Sequence, residues 1–298
     1  MAMKSSESQQ RRNFPTAEVD LGDVDRLIVD ALQEDLVYGP DITSQATVPA
    51  GQRSTARIVS RQVGTIAGAF TVERVLRQVA TGEFTVEGLG AEGTRVGPGD
   101  VVAHLEADTI DLLTAERTLL NLLTHLSGVA TATAAWVDAV AGTGVKIRDS
   151  RKTLPGMRVL QKYAVRVGGG ENHRLGLGDR ALIKDNHVIA AGGVVEAFRS
   201  VRRAFPGKWC EVEVDTLEQF DALLPEQPDE IMLDNFEPWA VQVAVQRRDR
   251  IAPGVLLEAS GGLSLDRAAE YARCGVDYLA VGALTHSAPV LDLGLDFD

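Results

Sequence analysis

The sequence predicts an α/β protein in which an α+β module precedes a parallel sheet or barrel. Three observations support this fold class. Short strand-like and helix-like segments mix without fixed order up to residue 126, which is typical of α+β modules. Six β-then-α units follow Gly128, and such units give parallel strands joined by crossover helices. A length of 298 residues is enough for one large domain or two.

The N-terminal module follows a polar stretch, residues 1–13, that is expected to form a flexible tail. Its first helix is predicted at Val24–Gln33, where apolar residues recur at helical spacing. Short strands are predicted at residues 54–61, 64–69, 84–88 and 101–105, the last after a Gly-Pro-Gly-Asp turn. A leucine-rich helix is predicted at Thr109–Leu126.

The second half of the chain repeats one pattern. Strands are predicted at residues 145–150, 181–186, 210–214, 230–233, 255–259 and 278–281, with helices such as 157–167, 194–205, 216–224 and 264–274 between them. An open doubly wound sheet and a barrel both fit. The barrel is favoured because no Gly-x-Gly-x-x-Gly motif follows the first strand, as a dinucleotide-binding fold would prefer.

Composition indicates a compact soluble protein, since 45% of the residues are apolar and 24% are charged. No apolar run is long enough to span a bilayer and no secretory leader is apparent, so we expect a cytoplasmic protein without a membrane partner. The net charge of −12 argues against nucleic acid as a partner. Cys210 and Cys274 lack metal-like or redox-like spacing, which indicates packing roles in a reducing compartment.

The residues that interrupt the apolar pattern of the predicted strands cluster at the carboxyl ends, where parallel barrels bind their ligands. They are Arg151, Lys152, Lys184, Glu213, Asp215, Asp234, Asn235, Glu258, Ser260 and Gly282. A single charge in such a place is usually an exposed loop residue, but here six strand ends share the feature. Glu211, Glu213 and Asp215 fall on one face of their strand. Facing solvent they would be ordinary, whereas lining a barrel mouth they would need a metal or a cationic partner.

Positive charge is concentrated between Lys146 and His187, where ten Lys and Arg residues stand against four acids. The members without helical spacing are Arg151, Lys152, His173, Arg174 and Lys184, which flank Gly168-Gly169-Gly170. A pocket of this kind suits a small anion with several charges, because guanidinium groups bind carboxylate or phosphate in bidentate fashion. The acids on later strands then suggest Mg²⁺ between protein and ligand.

Glycines follow two of the last strands. The segment Ser260-Gly261-Gly262 ends one strand and Gly282 follows the next. Such glycines let backbone N–H groups approach a phosphate, although a tight turn that only glycine can form explains them equally well when each is taken alone.

Three long motifs resemble the signature of the quinolinate phosphoribosyltransferase family. They are Asp149-Ser150-Arg151-Lys152-Thr153-Leu154-Pro155-Gly156, Gly168-Gly169-Gly170-Glu171-Asn172-His173-Arg174 and Leu182-Ile183-Lys184-Asp185-Asn186-His187. Glu211-Val212-Glu213, Leu233-Asp234-Asn235 and Glu258-Ala259-Ser260-Gly261-Gly262 follow in the family's order. Asp41-Ile42-Thr43-Ser44 and residues 114–121 are similar to its N-terminal landmarks, except that Pro40 stands where many relatives have glycine.

The resemblance implies an N-terminal α/β sandwich at residues 14–127, to which residues 287–298 return, and an incomplete α/β barrel at residues 128–286. It also implies a homodimer in which Arg117 reaches the partner's active site. The implied reaction, in NAD biosynthesis, joins quinolinate to phosphoribosyl pyrophosphate with Mg²⁺ as cofactor. It releases nicotinate mononucleotide, pyrophosphate and CO₂.

The resemblance also implies roles for individual residues. The quinolinate carboxylates would be held by Arg117, Ser150, Arg151, His173, Arg174 and Lys184. Phosphoribosyl pyrophosphate would face Lys152, Glu213, Asp234, Ser260, Gly261, Gly262, Gly282 and His286. Within this set Lys152, Glu213 and Asp234 would be catalytic, the two acids by orienting Mg²⁺ or the ribose hydroxyls.

Two alternatives stay open at this stage. A related phosphoribosyltransferase could act on nicotinate or another ring, although a single carboxylate would not need the whole cationic set. A sugar-phosphate sensor could keep the phosphate site without chemistry, but anion binding alone would not call for Glu213 and Asp234.

Overall fold

The structure is a computed structural model that describes residues 19–298, so the predicted tail at residues 1–13 lies outside the described residues. The described chain divides into two compact units. Residues 19–134, 155–169 and 287–298 form the first, named here the antiparallel unit. Residues 135–154 and 170–286 form the second, named the barrel unit.

The elements run through the chain in the following order. Up to residue 139 they are α1 (Leu21–Leu36), α2 (Ile42–Thr47), β1 (Arg53–Ser60), β2 (Gly64–Thr65), α3 (Phe70–Val79), β3 (Thr85–Glu87), β4 (Arg95–Val96), β5 (Val101–Asp108) and α4 (Thr109–Ala139). Next come β6 (Lys146–Arg148), α5 (Arg158–Val167), β7 (Ala181–Ile183), α6 (Asp185–Ala191), α7 (Val194–Ala204), β8 (Cys210–Val214) and α8 (Leu217–Leu223). The last are β9 (Glu230–Asp234), α9 (Pro238–Ile251), β10 (Leu256–Ser260), α10 (Ala268–Ala272), β11 (Tyr278–Ala280), α11 (Ala283–His286) and β12 (Leu293–Phe297).

The antiparallel unit is built on a four-stranded sheet with the strand order β12-β1-β5-β3. The final strand, β12, pairs with β1 over five residues, from Ala56 opposite Phe297 to Ser60 opposite Leu293. Ion pairs support this edge, because Arg57 Nε lies 2.8 Å from the Asp298 carboxylate. The chain end therefore completes the sheet that the N-terminal module begins.

Helix α4 is longer than the sequence predicted. It runs to Ala139, so the predicted end at Leu126 is wrong. The predicted helix ended where its run of leucines ends, whereas the helix continues through Gly128. Gly128 serves a packing purpose, since a Cβ placed there would lie 2.1 Å from the carbonyl oxygen of Pro289.

The barrel unit contains a parallel sheet of six strands in the order β6-β11-β10-β9-β8-β7. Neighbours pair in parallel throughout, for example Glu258 with Met232 and Ala259 with Leu233 between β10 and β9. The edge strands β6 and β7 do not pair with each other among the described residues. Together with the antiparallel unit, this confirms the predicted fold class, including a barrel that is incomplete.

The strands of the barrel unit are buried on both faces. Val212 and Ile231 have no exposed surface, and the intervening positions, Glu211 and Glu230, are equally buried. Because side chains alternate across a strand, one face of β8 and β9 is aliphatic while the other carries acids. Charged side chains thus occupy positions that an ordinary barrel fills with aliphatic residues.

Within residues 19–298, no helix combines the length and the apolar character that crossing a bilayer requires. The cytoplasmic location expected from the sequence stays a prediction.

Candidate active site

A cavity of about 400 Å³ opens at the carboxyl ends of the six parallel strands. All of its lining residues belong to the barrel unit. They are Asp149, Ser150, Arg151, Lys152, His173, Arg174, Leu182, Lys184, Glu213, Met232, Asp234, Glu258, Ser260, Gly261, Ala280 and Gly282. Its volume falls in the range of small-molecule sites.

Cationic side chains reach this cavity from three places in the chain. Arg151 and Lys152 follow β6, Arg174 lies on the bend after α5, and Lys184 follows β7. Arg174 is buried, and burial together with the nearby charge of Arg151 lowers its pKa. Lys184 donates a hydrogen bond of 2.5 Å from Nζ to Glu213. The sequence motifs therefore converge in space, and an anion in the cavity would relieve repulsion between the two arginines.

The Asp149 carboxylate holds the bend against the end of β6. Its Oδ1 accepts a 2.8 Å hydrogen bond from the backbone N–H of His173, and its Oδ2 accepts one of 2.7 Å from Asn172 Nδ2. The next amide, that of Arg174, donates to His173 Nδ1 at 2.7 Å. Nδ1 is therefore an acceptor, so a neutral His173 carries its proton on Nε2.

Three acids form a second group, and two of them, Glu213 and Asp234, line the cavity. The carboxylate oxygens of Glu213, Asp215 and Asp234 lie within 4.8 Å of one another. Burial and the charge of Glu213 raise the pKa of both Asp215 and Asp234. Like charges held this close call for a cation, and carboxylate oxygens suit a hard divalent ion such as Mg²⁺.

The glycines at the strand ends keep two turns tight. Gly261 has φ +82°, and a Cβ there would lie 2.3 Å from Asn235 Oδ1, which supports the turn explanation for this glycine. Gly282 leaves space beside Lys152, Ser150 and His286, because a Cβ there would lie 3.0 Å, 3.4 Å and 3.5 Å from their side chains.

The structure gathers most of the predicted site residues and leaves three apart from the lining. Gly262 follows Gly261 in the same turn with φ +59°, and His286 ends α11 near Gly282. Arg117 lies on α4 in the antiparallel unit, where its side chain is 65% exposed. Its contribution to a partner's site stays a prediction.

A buried layer of charge lies in the sheet, and the sequence had not indicated two of its members, Arg148 and Glu230. Arg148 Nη1 lies 2.5 Å from Glu230 Oε1 and 2.6 Å from Glu258 Oε2. The guanidinium carbon of Arg148 also lies 3.3 Å from the ring centroid of Tyr278. Burial opposes the charge of Arg148, but Glu230 and Glu258 more than offset it and raise its pKa.

His173 connects this layer to the cavity. Its Nε2 lies 2.7 Å from Glu211 Oε2 and 3.8 Å from Glu258 Oε1. Burial lowers the pKa of His173 to about 3, so the ring is neutral at physiological pH. These three donors lie close enough together for a metal, but the proton on Nε2 and the nearby Arg148 disfavour a cation there.

Comparison with known proteins agrees with the motifs. The family profile for quinolinate phosphoribosyl transferase, N-terminal domain, matches residues 41–127, and that for the C-terminal domain matches residues 129–296. The nicotinate-nucleotide pyrophosphorylase (carboxylating) of Mycobacterium leprae (strain TN) is 62% identical over 271 residues, which cover 89% of this chain and 94% of that protein.

Solved structures agree at two levels of similarity. The nicotinate-nucleotide pyrophosphorylase from Francisella tularensis superposes with a TM-score of 0.89 at 35% identity, over 96% of this chain and 100% of that chain. Human nicotinic acid phosphoribosyltransferase superposes with a TM-score of 0.62 at 14% identity, over 94% of this chain and 74% of that chain. The human protein therefore shares the fold alone.

Proposed function

The chain belongs to the quinolinate phosphoribosyltransferase family, and from this premise we propose that it joins quinolinate to phosphoribosyl pyrophosphate with loss of CO₂. The products would be nicotinate mononucleotide, pyrophosphate and CO₂. One observation supports this most directly. A single cavity is lined both by the cationic side chains of Arg151, Arg174 and Lys184 and by the acidic side chains of Glu213 and Asp234.

Quinolinate is a dianion, and the cationic side chains suit its two adjacent carboxylates. Arg151 and Arg174 can each form paired hydrogen bonds to a carboxylate, which Lys184 complements as a point charge. Ser150 and His173 line the same cavity, and each would contribute to the quinolinate half of the site. A substrate with one carboxylate would leave part of this set without a partner.

Phosphoribosyl pyrophosphate would occupy the other part of the cavity. Its phosphates would meet Lys152 and the backbone of the two glycine turns. The residues proposed for this half are Lys152, Glu213, Asp234, Ser260, Gly261, Gly262, Gly282 and His286. Thr285 supports this arrangement by donating a 2.9 Å hydrogen bond to the carbonyl oxygen of Lys152, which ties α11 to the loop after β6.

Glu213 and Asp234 would hold Mg²⁺, with Asp215 beside them. The fit rests on the crowding of these carboxylates, whose repulsion a divalent cation would remove. A bound Mg²⁺ would supply positive charge to the pyrophosphate as it leaves.

The residues of the chain act mainly by position and charge. They hold the pyridine nitrogen against the anomeric carbon, whose bond to pyrophosphate breaks as the new C–N bond forms. Lys152 stabilises the charge that develops on the leaving pyrophosphate. Glu213 and Asp234 favour positive charge on the ribose. The pyridinium ring then accepts the electron pair that the departing carboxylate leaves behind, and CO₂ is released.

We also propose that two chains form a homodimer in which Arg117 completes the quinolinate site of the partner. The Arg117 side chain on α4 is 65% exposed, so its guanidinium group is accessible to a second chain.

A single assay tests the proposed reaction. Quinolinate labelled in the carboxylate next to the ring nitrogen should release labelled CO₂ only when phosphoribosyl pyrophosphate and Mg²⁺ are both present. Conversion of nicotinate instead of quinolinate would identify the related transferase. Binding of the sugar donor without turnover of either ring would identify a sensor, and both results would contradict the proposal.

A further inference from the structure

Loss of CO₂ leaves an electron pair on the ring carbon, and that carbon must gain a proton to give nicotinate mononucleotide. This requirement rests on the proposed function. The donor has to line the cavity and carry a proton at neutral pH. After it has given up that proton, the cavity must still hold the bound anions. Lys152 and Lys184 meet the last condition poorly, because a lysine that gives up its proton loses the charge that holds an anion.

Within residues 19–298, four acids line the cavity, and three of them already have another role. Both oxygens of Asp149 accept hydrogen bonds from the bend, and Glu213 and Asp234 belong to the proposed cation site. Glu258 is the other acid in the lining. Its Oε2 accepts from Arg148 at 2.6 Å, while its Oε1 has no hydrogen-bond partner among the described residues.

The surroundings of Glu258 favour a protonated carboxyl. Arg180 joins the buried layer, since its Nη1 lies 3.5 Å from Glu230 Oε2. Arg148 and Arg180 carry two positive charges there, against three carboxyls from Glu211, Glu230 and Glu258, while His173 is neutral. Full ionisation would bury one excess negative charge, which is costly. Burial and the nearby Glu211 raise the pKa of Glu258 to about 8. Since Oε2 is bound to Arg148, the proton belongs on Oε1.

We propose that Glu258 is the acid that protonates the ring carbon after CO₂ leaves. In this step the bond between the ring carbon and the carboxylate breaks and its electron pair stays on the ring. The O–H bond of Glu258 Oε1 then breaks as the C–H bond forms. The Glu258 carboxylate that results lies beside Arg148, which stabilises it until solvent returns a proton before the next turnover.

The experiment compares the wild type with Glu258→Gln, which keeps the shape and an acceptor for Arg148 but has no acidic proton. Formation of nicotinate mononucleotide is followed in single turnovers across the pKa of Glu258. The wild-type rate should fall as the pH rises, because only the protonated acid can donate. The variant should lose this pH dependence and react about 10²-fold more slowly or worse, the usual contribution of a general acid.

Glu230→Gln is the matched control. Glu230 binds the same Arg148 at 2.5 Å and is equally buried, but it does not line the cavity. This variant should still react more slowly as the pH rises, but with its midpoint at lower pH, because one buried negative charge near Glu258 has been removed. If both variants lost the pH dependence, it would arise from the buried charges as a group and not from proton donation by Glu258. That result would overturn the proposal.

The isotope content of the product gives a readout that a structural role would not change. In an equal mixture of H₂O and D₂O, protonation by a carboxyl and protonation by water discriminate differently between the isotopes. The deuterium fraction at the new C–H bond should therefore differ between the wild type and Glu258→Gln. An unchanged fraction or an unchanged rate would overturn the proposal.

Two further outcomes are distinguishable. If the wild type releases no CO₂ from quinolinate, the proposed function fails and the role of Glu258 fails with it. If Glu258→Gln does not fold, Glu258→Asp retains the carboxyl and should keep the pH dependence at a lower rate. A wild-type single-turnover rate that is independent of pH across this range would overturn the proposal without any variant.

Discussion

Arg174 shows how single side chains prepare the cavity for an anion. It is buried beside Arg151, and both burial and that neighbouring charge lower its pKa. Its backbone amide is bound to the His173 ring, which the Asp149 carboxylate holds in place through the preceding amide. A buried guanidinium group forms strong charged hydrogen bonds with a carboxylate ligand. Because its backbone is already held in place, little conformational entropy is lost when the ligand binds.

Arg174→Ala should therefore weaken quinolinate binding more than it disturbs folding. The expected loss is about 1.5–3 kcal/mol, the value of a hydrogen bond to a charged group, which is roughly a 10- to 100-fold rise in Kd by calorimetry. Arg199→Ala is the control, because Arg199 is an exposed arginine paired with Glu226 on the same unit. Equal quinolinate affinities for the wild type and Arg174→Ala would show that Arg174 does not bind quinolinate.

Lys152→Ala should reduce turnover with little effect on stability. Lys152 is exposed in the loop after β6 and is proposed to meet charge that appears only as pyrophosphate leaves. An interaction of this kind acts on kcat rather than on substrate affinity, and one such donor contributes roughly 10²- to 10³-fold. Lys208→Ala, at an exposed lysine of the same unit, supplies the comparison. A folded Lys152→Ala enzyme with normal kcat would contradict the assignment.

The sequence indicated the cavity residues that lie in long motifs better than the charged residues buried within the strands. Arg151, His173 and Lys184 lie in long sequence motifs, and the structure places all three at the cavity. Arg148 and Glu258 lie in the strands, where an isolated charge gives no indication of its partner. Their pairing depends on strand order, which brings β6, β10 and β9 together although they are distant in sequence.

At the scale of elements, helix α4 shows why small residues occur inside a long helix. Glycine disfavours a helix by about 1 kcal/mol relative to alanine. At Gly128 a Cβ would lie 2.1 Å from the Pro289 carbonyl oxygen and 2.9 Å from Val290 Cα. Both atoms belong to backbone, so neither can rotate away, and the steric requirement outweighs helix propensity.

Gly128→Ala should therefore destabilise the protein despite its better helix propensity. Overpacking in a close contact costs about 1–3 kcal/mol, and the rigid backbone here favours the upper end. Thermal or denaturant unfolding measures the change. Gly82→Ala serves as the control, because a Cβ at Gly82 meets nothing within 4 Å. A variant at position 128 as stable as the wild type would show that the segment around Pro289 moves easily.

Element positions were predicted more accurately than element ends. The six parallel strands occur in the predicted places, but β6, β7 and β11 are only three residues long. The predicted helix at residues 264–274 is a 3₁₀ turn at Leu265–Arg267 followed by α10. Hydrophobic periodicity locates an element, whereas its end depends on contacts with distant residues.

At the scale of the whole molecule, the proposed function needs residues from two chains. The cavity is lined by the barrel unit, and Arg117 is an exposed residue of the antiparallel unit. A homodimer with shared sites would be symmetric, so each chain would give Arg117 to its partner and receive one in return. Activity would then depend on the combination of chains in a dimer.

Subunit mixing tests this dependence. Arg117→Ala and Lys152→Ala homodimers should both be nearly inactive, because every site lacks one residue. A mixed dimer would hold one site with both defects and one with neither. Exchange of equal amounts should restore at most about a quarter of wild-type activity, since half of the dimers are mixed and each has one intact site.

The size and the direction of the recovery separate the possible roles of Arg117. If Arg117 served the cavity of its own chain, every site in a mixed dimer would still lack either Arg117 or Lys152, and mixing would restore nothing. If Arg117 were needed only for dimer stability, a high protein concentration would drive Arg117→Ala into dimers and restore its activity without mixing. Recovery on mixing, together with inactive Arg117→Ala dimers of normal mass by light scattering, is expected only when the arginine acts across the interface.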